Sequence, residues 1–380
     1  MILARTARWV AMFVTSVVTA IGLGGGLGCA TVWPVSHDPG PPGTGLPVLT
    51  WLAEFTRPSG ATYPQLLDSK AFGSISGLAH DLTSGDYVGV IDDRADSRVA
   101  WMNITFAHGQ LDMVPSRVQL LRAGPGVDAR VATQADLEAI VALPDGTFVM
   151  AEEGHISADG VWPPALLQVT RDGLVTGVIS FPPEFQMLDD GTRGVRDNQG
   201  FESLTRTPAG RLIAGLEQPV APSPVTTPER GGDGRLVEFE PTGTTWKPGR
   251  QWQYTIAPTP AVTGFPHVCG GGENGLVELL AITETTLIAM ERACRLSAAG
   301  VAANTIQLFG VTLSGNVARK TLLLDISTLT PQLSPALATL DNFEGLAFGP
   351  IVDGVRTLLA VSDDNFRASQ KTSFLLFGMR

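Results

Sequence analysis

Residues 341–366 read DNFEGLAFGPIVDGVRTLLAVSDDNF, two apolar runs with an acidic cluster at each outer end. Glu344 opens the first run, and Asp363 and Asp364 close the second. Between them Gly349, Pro350, Asp353 and Gly354 supply turn chemistry, so the stretch reads as a β-hairpin. An antiparallel hairpin sets the start of its first strand beside the end of its second. Glu344 and the Asp363/Asp364 pair are therefore expected at one edge.

Working outward, the same unit precedes this hairpin four times. Ser76-Gly77-Leu78-Ala79 leads into Tyr87 to Val90 and ends at Asp92-Asp93. Leu137-Glu138-Ala139-Ile140 leads into Phe148 to Glu153, Gly200-Phe201-Glu202-Ser203-Leu204 into Leu212 to Glu217, and Leu276-Val277-Glu278-Leu279-Leu280 into Leu287 to Glu291. Anchored on Ser76, Glu138, Glu202, Glu278 and Glu344, the intervals are 62, 64, 76 and 66 residues. The second acid follows at +16, +14, +15, +13 and +19. Recurrence at a near-fixed period signals stacked units.

Two further strand-like runs follow the second, third and fourth hairpins, at Leu166 to Thr170 and Leu174 to Phe181, at Arg235 to Phe239 and Gln251 to Ile256, and at Thr305 to Leu313 and Thr321 to Ile326. Four strands per unit, repeated, predict an all-β chain folded as a β-propeller. Five blades are counted, with room for a sixth in the long segment Gln218 to Gly275. After the last hairpin only Thr372 to Phe377 remains. Leu46 to Phe55 is expected to supply the missing strand, pairing the two ends of the chain and leaving no open sheet edge. In such a ring the paired acids gather at one mouth of the central channel, where their repulsion calls for a cation or for arginine. Arg94, Arg206, Arg292 and His155 are near enough in sequence to serve. The plainer alternative is that each acid accepts backbone hydrogen bonds and ties blade to blade.

Composition agrees with many short strands. The 380 residues are 44% apolar and only 17% charged, with 43 Gly and 27 Pro. A formal charge of −11 argues against nucleic acid, which is held by clusters of Lys and Arg. Residues 1–28 have the pattern of an export signal, with Arg5 and Arg8 ahead of an uncharged stretch from Trp9 to Leu27. The signal ends in Gly26-Leu27-Gly28-Cys29, which resembles a lipoprotein cleavage site with Cys29 lipidated, although Gly26 stands where that pattern has Leu. Cleavage near Ala30 without lipid and an uncleaved anchor are the alternatives. Residues 29–45, with PGPPGTG, read as a flexible tether, and 46–380 as the folded domain. Cys269 and Cys294 are then an even pair in an oxidising compartment and are expected to form a disulfide. No G-x-S-x-G elbow or phosphate-binding loop is present, and Gly270-Gly271-Gly272 reads as a loop.

The phrases FGSISGLAHD, DLEAIVALPDGTFVMAEEG, NQGFESLTRTPAGRLIAGLEQPV, NGLVELLAITETTLIAMER and DNFEGLAFGPIVDGVRTLLAVSDDNF resemble the phytase-like family, described as having esterase-like activity, from about Leu46 to the C-terminus. The resemblance implies an exported bacterial propeller that hydrolyses phosphomonoesters or phosphodiesters. Its motif acids fall on Glu138, Glu152, Glu202, Glu217, Glu278, Glu291, Glu344 and Asp363. The chain departs from the family pattern at Gln199 and at Ala293-Cys294, neither of which removes an acid. The expected working residues are Glu202, Glu344, Asp363, Glu138, Glu217, Glu291 and Arg292, with His155 a further candidate to meet phosphate or simply a solvated loop residue. The expected Ca²⁺ ligands are Asp92, Glu152, Glu202, Glu278, Glu344, Asp363 and Asp364. A small phosphorylated substrate, no nucleic acid, membrane attachment only through lipid, a monomer, and a periplasmic, outer-membrane or secreted location complete the expectation. A non-catalytic envelope scaffold and a metal-dependent lactonase propeller are the rival readings.

Overall fold

Two kinds of apolar pattern build the strands. Short runs such as YVGVI at 87–91 and FVMAE at 148–152 are buried at every residue, as strands enclosed on both faces must be. Longer runs such as QLDMVP at 110–115 alternate exposed and buried, the period of a strand with one wet face. The computed structural model describes residues 45–61, 66, 72–158, 160–188 and 190–380. The expected export signal, Cys29 and the expected tether up to residue 44 lie outside the described residues.

The strands assemble in chain order. After β1 (Leu49–Pro58) comes a sheet of β2 (Ile75–His80), β3 (Tyr87–Ile91), β4 (Arg98–Ala107) and β5 (Gln110–Leu120). The next sheet holds β6 (Arg122–Ala123), β7 (Leu137–Ala142), β8 (Phe148–Glu152), β11 (Ala165–Val169) and β12 (Leu174–Ser180). Helix α1 (Ala129–Thr133) and the small hairpin β9 (His155–Ser157) and β10 (Gly160–Trp162) are insertions in it. Then β13 (Ser203–Arg206), β14 (Leu212–Gly215), β15 (Gly232–Thr242) and β16 (Thr245–Ile256) pair in sequence. The two-residue β17 (His267–Val268) pairs with β19 (Thr286–Leu296), which also joins β18 (Gly275–Ala281) to β20 (Ala302–Ser314), followed by β21 (Val317–Asp325). Thus the segment 218–275 feeds β15 and β16 into an existing sheet rather than forming one of its own. The last sheet is β22 (Asn342–Val352), β23 (Val355–Asp363), β24 (Lys371–Met379) and β1, which pairs antiparallel with β24 from Leu49–Met379 to Pro58–Lys371.

Neighbouring sheets pack face to face around a cycle. Val88, Val90 and Trp101 meet Ile140, Met150 and Leu167. Val149 and Leu166 meet Leu204, Leu212 and Val237. Ile213, Leu236 and Trp252 meet Leu279, Leu287 and Phe309. Ile288, Met290 and Leu308 meet Leu346, Leu358 and Phe377, and Leu359 and Phe374 return to Leu78, Tyr87 and Met102. The first strands of the hairpins, β2, β7, β13, β18 and β22, each touch the next in the same cyclic order. At Gly77 the approach is so close that a Cβ would stand 2.6 Å from Ala139 Cα. The result is an all-β, propeller-type arrangement.

Candidate active site at the acidic mouth

A break in the pairing aims the acids. In β2, β7 and β22 the ladder skips one residue, namely Ser76, Glu138 and Glu344. A residue left out of the ladder bulges, bends the strand and re-aims its side chain. In β18 the residue skipped is Val277, not Glu278. The residues before the bulges face Ile91, Glu152, Ser362 and Glu291. The next residues along, Asp92, Glu153, Asp363 and Arg292, are therefore equivalents. In the third unit Glu217 N donates to Gly200 O at 2.7 Å, which places Glu202 and Glu217 in the matching positions.

The sequence alignment of the repeats is thus one residue off in two hairpins, and adjacent residues of a strand point to opposite faces. Glu291, expected to be catalytic, faces away from the mouth. It accepts from Tyr254 Oη at 2.7 Å, Asn274 Nδ2 at 2.7 Å and Ala257 N at 3.0 Å, and pairs with Lys320. Glu278, an expected metal ligand, accepts from the backbone of Leu279 at 2.8 Å and Leu204 at 3.2 Å. Glu152 is occupied by Asp136 N at 2.6 Å and His155 Nδ1 at 3.3 Å. Asp364 accepts from Ser74 N and Phe366 N, both at 3.0 Å, and from Thr372 Oγ1 at 2.7 Å. All four accept backbone N–H groups, and Glu291, Glu278 and Asp364 do so from a neighbouring unit's segment, whereas Glu152 binds within its own. His155 is neither solvated nor free for phosphate, being 4% exposed and stacked on Trp162. Arg206, expected as a partner for the acids, ends β13 and so lies at the far end of that strand from Glu202.

What remains at the mouth is a tight group. Oxygens of Asp92, Asp136 and Glu138 lie within 4.8 Å of one another, as do those of Glu153, Glu202 and Glu217. Arg292, 8% exposed, takes the place an acid holds in the other units. Its Nη2 is 2.8 Å from Glu344 Oε1 and 3.7 Å from both Glu202 Oε1 and Glu217 Oε1. Asn342 Nδ2 also donates to Glu344 Oε1, at 2.8 Å. Arg94 pairs with Asp136 and with Asn198. Glu153 Oε1 accepts from Gly200 N at 2.9 Å. The Oε2 atoms of Glu153, Glu202 and Glu217 and the Nε of Arg292 are buried without a hydrogen-bond partner.

Sequence reasoning passed over Asp136 and chose Glu152 where Glu153 is the inward acid. A signal existed for both. Asp136 stands two residues before Glu138, on the same side of an extended chain. Sliding the second and fourth units by one residue also gives a uniform spacing, with Glu138 to Glu153, Glu202 to Glu217 and Val277 to Arg292 each fifteen residues apart.

Burial and mutual repulsion set the protonation of this group. Two like charges about 4 Å apart repel by about 4 kcal/mol at an effective dielectric near 20, so the acids do not ionise independently. Burial, then Asp363 and Asp136, push Asp92 up to about 8. Burial outweighs Arg292 and brings Glu217 to about 7. Asp363 is raised by burial to about 6, held down by backbone donation from Asn365. Glu138, Glu153, Glu202 and Glu344 are raised well above the carboxylate range, chiefly by burial. Such a set needs protons or a cation, and the unpartnered oxygens of Glu153, Glu202 and Glu217 suit a hard, oxygen-liganded ion.

A family model described as phytase-like, esterase-like activity of phytase, matches residues 70–366. No curated protein matches the chain by sequence. Among solved structures the chain is similar to the endo-arabinase from Bacteroides thetaiotaomicron VPI-5482, with 10% identity, 85% of this chain and 96% of that one covered and a TM-score of 0.43. It is also similar to the aldose sugar dehydrogenase from Escherichia coli, with 12% identity, coverages of 87% and 99% and a TM-score of 0.35. The gluconolactonase XC5397 from Xanthomonas campestris gives 12% identity, coverages of 90% and 98% and a TM-score of 0.34.

Proposed function

Since the chain belongs to the phytase-like family, we propose that its acidic mouth hydrolyses phosphoric esters with the help of a hard divalent cation, Ca²⁺ by preference. The observation that supports this most is the pair of three-carboxylate groups set beside Arg292, with the second oxygens of Glu153, Glu202 and Glu217 left unpartnered. Asp92, Asp136 and Glu138 would hold one ion and Glu153, Glu202 and Glu217 another. A bound cation would supply positive charge to the phosphoryl oxygens.

The chain's own residues divide the remaining work. Arg292 is held by Glu344, Glu202 and Glu217, and its unpartnered Nε is available to donate to a phosphate oxygen. Glu138 is raised well above the carboxylate range by burial and by its acidic neighbours when no ion is bound, and as an ion ligand it would give up its proton when the cation binds. Asp363, brought to about 6, is ionised at neutral pH and can accept one. The architecture that goes with this reading is five four-stranded blades closed by β1 against β24, supported by the cyclic packing of the inner strands. Export, with Cys29 as the tethering lipid site, and a monomeric state belong to the same proposal.

A lactone or carboxylic ester hydrolase is the second reading. It is favoured by the shortage of positive charge at the mouth, where Arg292 and Arg94 are both already engaged by carboxylates. Release of p-nitrophenol from p-nitrophenyl phosphate, bis(p-nitrophenyl) phosphate and p-nitrophenyl acetate, each with Ca²⁺ or with chelator, separates the two. Cation-dependent cleavage of a phosphate ester is expected. Cleavage of the acetate alone would move the assignment to the second reading, and no turnover of any would remove both.

A further inference from the structure

The inner strands that carry the acids continue, within a few residues, into a second chamber at their other ends. A cavity of about 330 Å³ is lined by Leu78, Ile140, Leu204, Leu279 and Leu346, one from each inner strand. Each lies two or more residues past the acid position of its unit, about 7 Å or more along an extended chain. The volume falls at the small end of the range of about 300–1,000 Å³ typical of small-molecule sites. Leu82, 63% exposed, hangs at its rim.

The rim is also cationic in a chain whose net charge is −11. Arg206 and Arg356 both line the cavity. Neither forms an ion pair with a carboxylate among the described residues, Arg206 only lowering the pKa of Asp145 through its charge. Arg356 lies over the Phe348 ring with its guanidinium carbon 4.6 Å from the centroid, so the apolar wall itself holds the charge at the opening. Arg292, Arg211 and Arg98, by contrast, are each matched to an acid. Two unmatched guanidiniums over an apolar chamber are complementary to an anion with an apolar body.

We propose that this chamber, at the end of the inner strands opposite the acids, is a binding site for a small amphipathic anion, with the apolar body inside and a carboxylate or phosphate head between Arg206 and Arg356. Calorimetric titration of the full chain with decanoate, decyl phosphate, decanol and decyltrimethylammonium tests it. Saturable binding of the two anions is expected, with decanol at least tenfold weaker and the cation undetectable. If both anions bind, their ratio distinguishes a carboxylate from a phosphate ligand. The double variant Arg206→Gln/Arg356→Gln should lose that tenfold preference while its melting temperature stays near that of the parent. Leu204→Trp, which fills the chamber and keeps the charges, should lose all three ligands. Equal binding of decanoate and decanol, no saturable binding of any probe, or unchanged preference in the double variant would overturn the proposal. None of these readouts depends on ester hydrolysis at the acidic mouth.

Discussion

Arg292 is the residue on which the charge balance of the mouth turns. A fully buried carboxylate group without a counter-charge is far more costly than the pair it replaces, and breaking such a pair costs about 3–5 kcal/mol. Arg292→Met keeps the volume and removes the charge, leaving Glu344, Glu202 and Glu217 without their shared partner. Urea unfolding of the metal-stripped variant at pH 8 should show a loss in that range. At pH 5 the loss should be markedly smaller, because Glu217, with a pKa of about 7, is then protonated and needs no partner. Equal losses at the two pH values would mean that Arg292 acts by packing alone. Phosphate ester hydrolysis should fall at least a hundredfold.

At the scale of the element, the hairpin explains both what could be read from the sequence and what could not. Strand positions follow from apolar runs punctuated by Gly, Pro and Asp, and the hairpins at 76–90, 137–153 and 344–363 pair in the structure as their pattern predicts. The bulge leaves no change in composition, and its one trace in the sequence is the fifteen-residue spacing that Glu138 to Glu153, Glu202 to Glu217 and Val277 to Arg292 share. Its consequence is a one-residue slip that exchanges Glu152 for Glu153, and Glu278 with Glu291 for Val277 with Arg292. The paired cysteines were legible. Cys269 and Cys294 are bonded, with Cα atoms 5.4 Å apart, and a Cβ on Gly272 would stand 2.7 Å from that of Cys269. The bridge fastens the 257–274 connection to β19, two residues from Arg292. With the cysteines separated by 25 positions in sequence, the double variant Cys269→Ser/Cys294→Ser should lose about 3 kcal/mol in denaturant unfolding. A loss below about 1 kcal/mol would show that the connection is held by Arg295, which donates to Phe265 O and Pro266 O, without help from the disulfide.

For the whole molecule, the buried acids make stability a function of pH and of cation. Asp92, Glu217 and Asp363 have folded pKa values of about 8, 7 and 6, above the ordinary carboxylate value. The folded state therefore holds protons that the unfolded chain has released. Their contribution is fully present below about pH 4 and is lost as pH rises through 6 to 8. The melting temperature of the metal-stripped protein should fall over that window, and Ca²⁺ should restore it at pH 8.5 while doing little at pH 5, where protons already occupy the site. A melting temperature that rises over the same window would show that the acids are paired in some other way.

Calorimetric titration of the metal-stripped protein with Ca²⁺ at pH 7, repeated in buffers of different ionisation enthalpy, measures cation uptake and proton release together. Saturable binding with release of protons is expected for the parent and for Glu291→Gln, whose carboxylate faces Lys320, and binding weaker by at least tenfold for Glu153→Gln. Absence of binding, or equal weakening by the two substitutions, would contradict a cation site built from the inward acids of neighbouring strands.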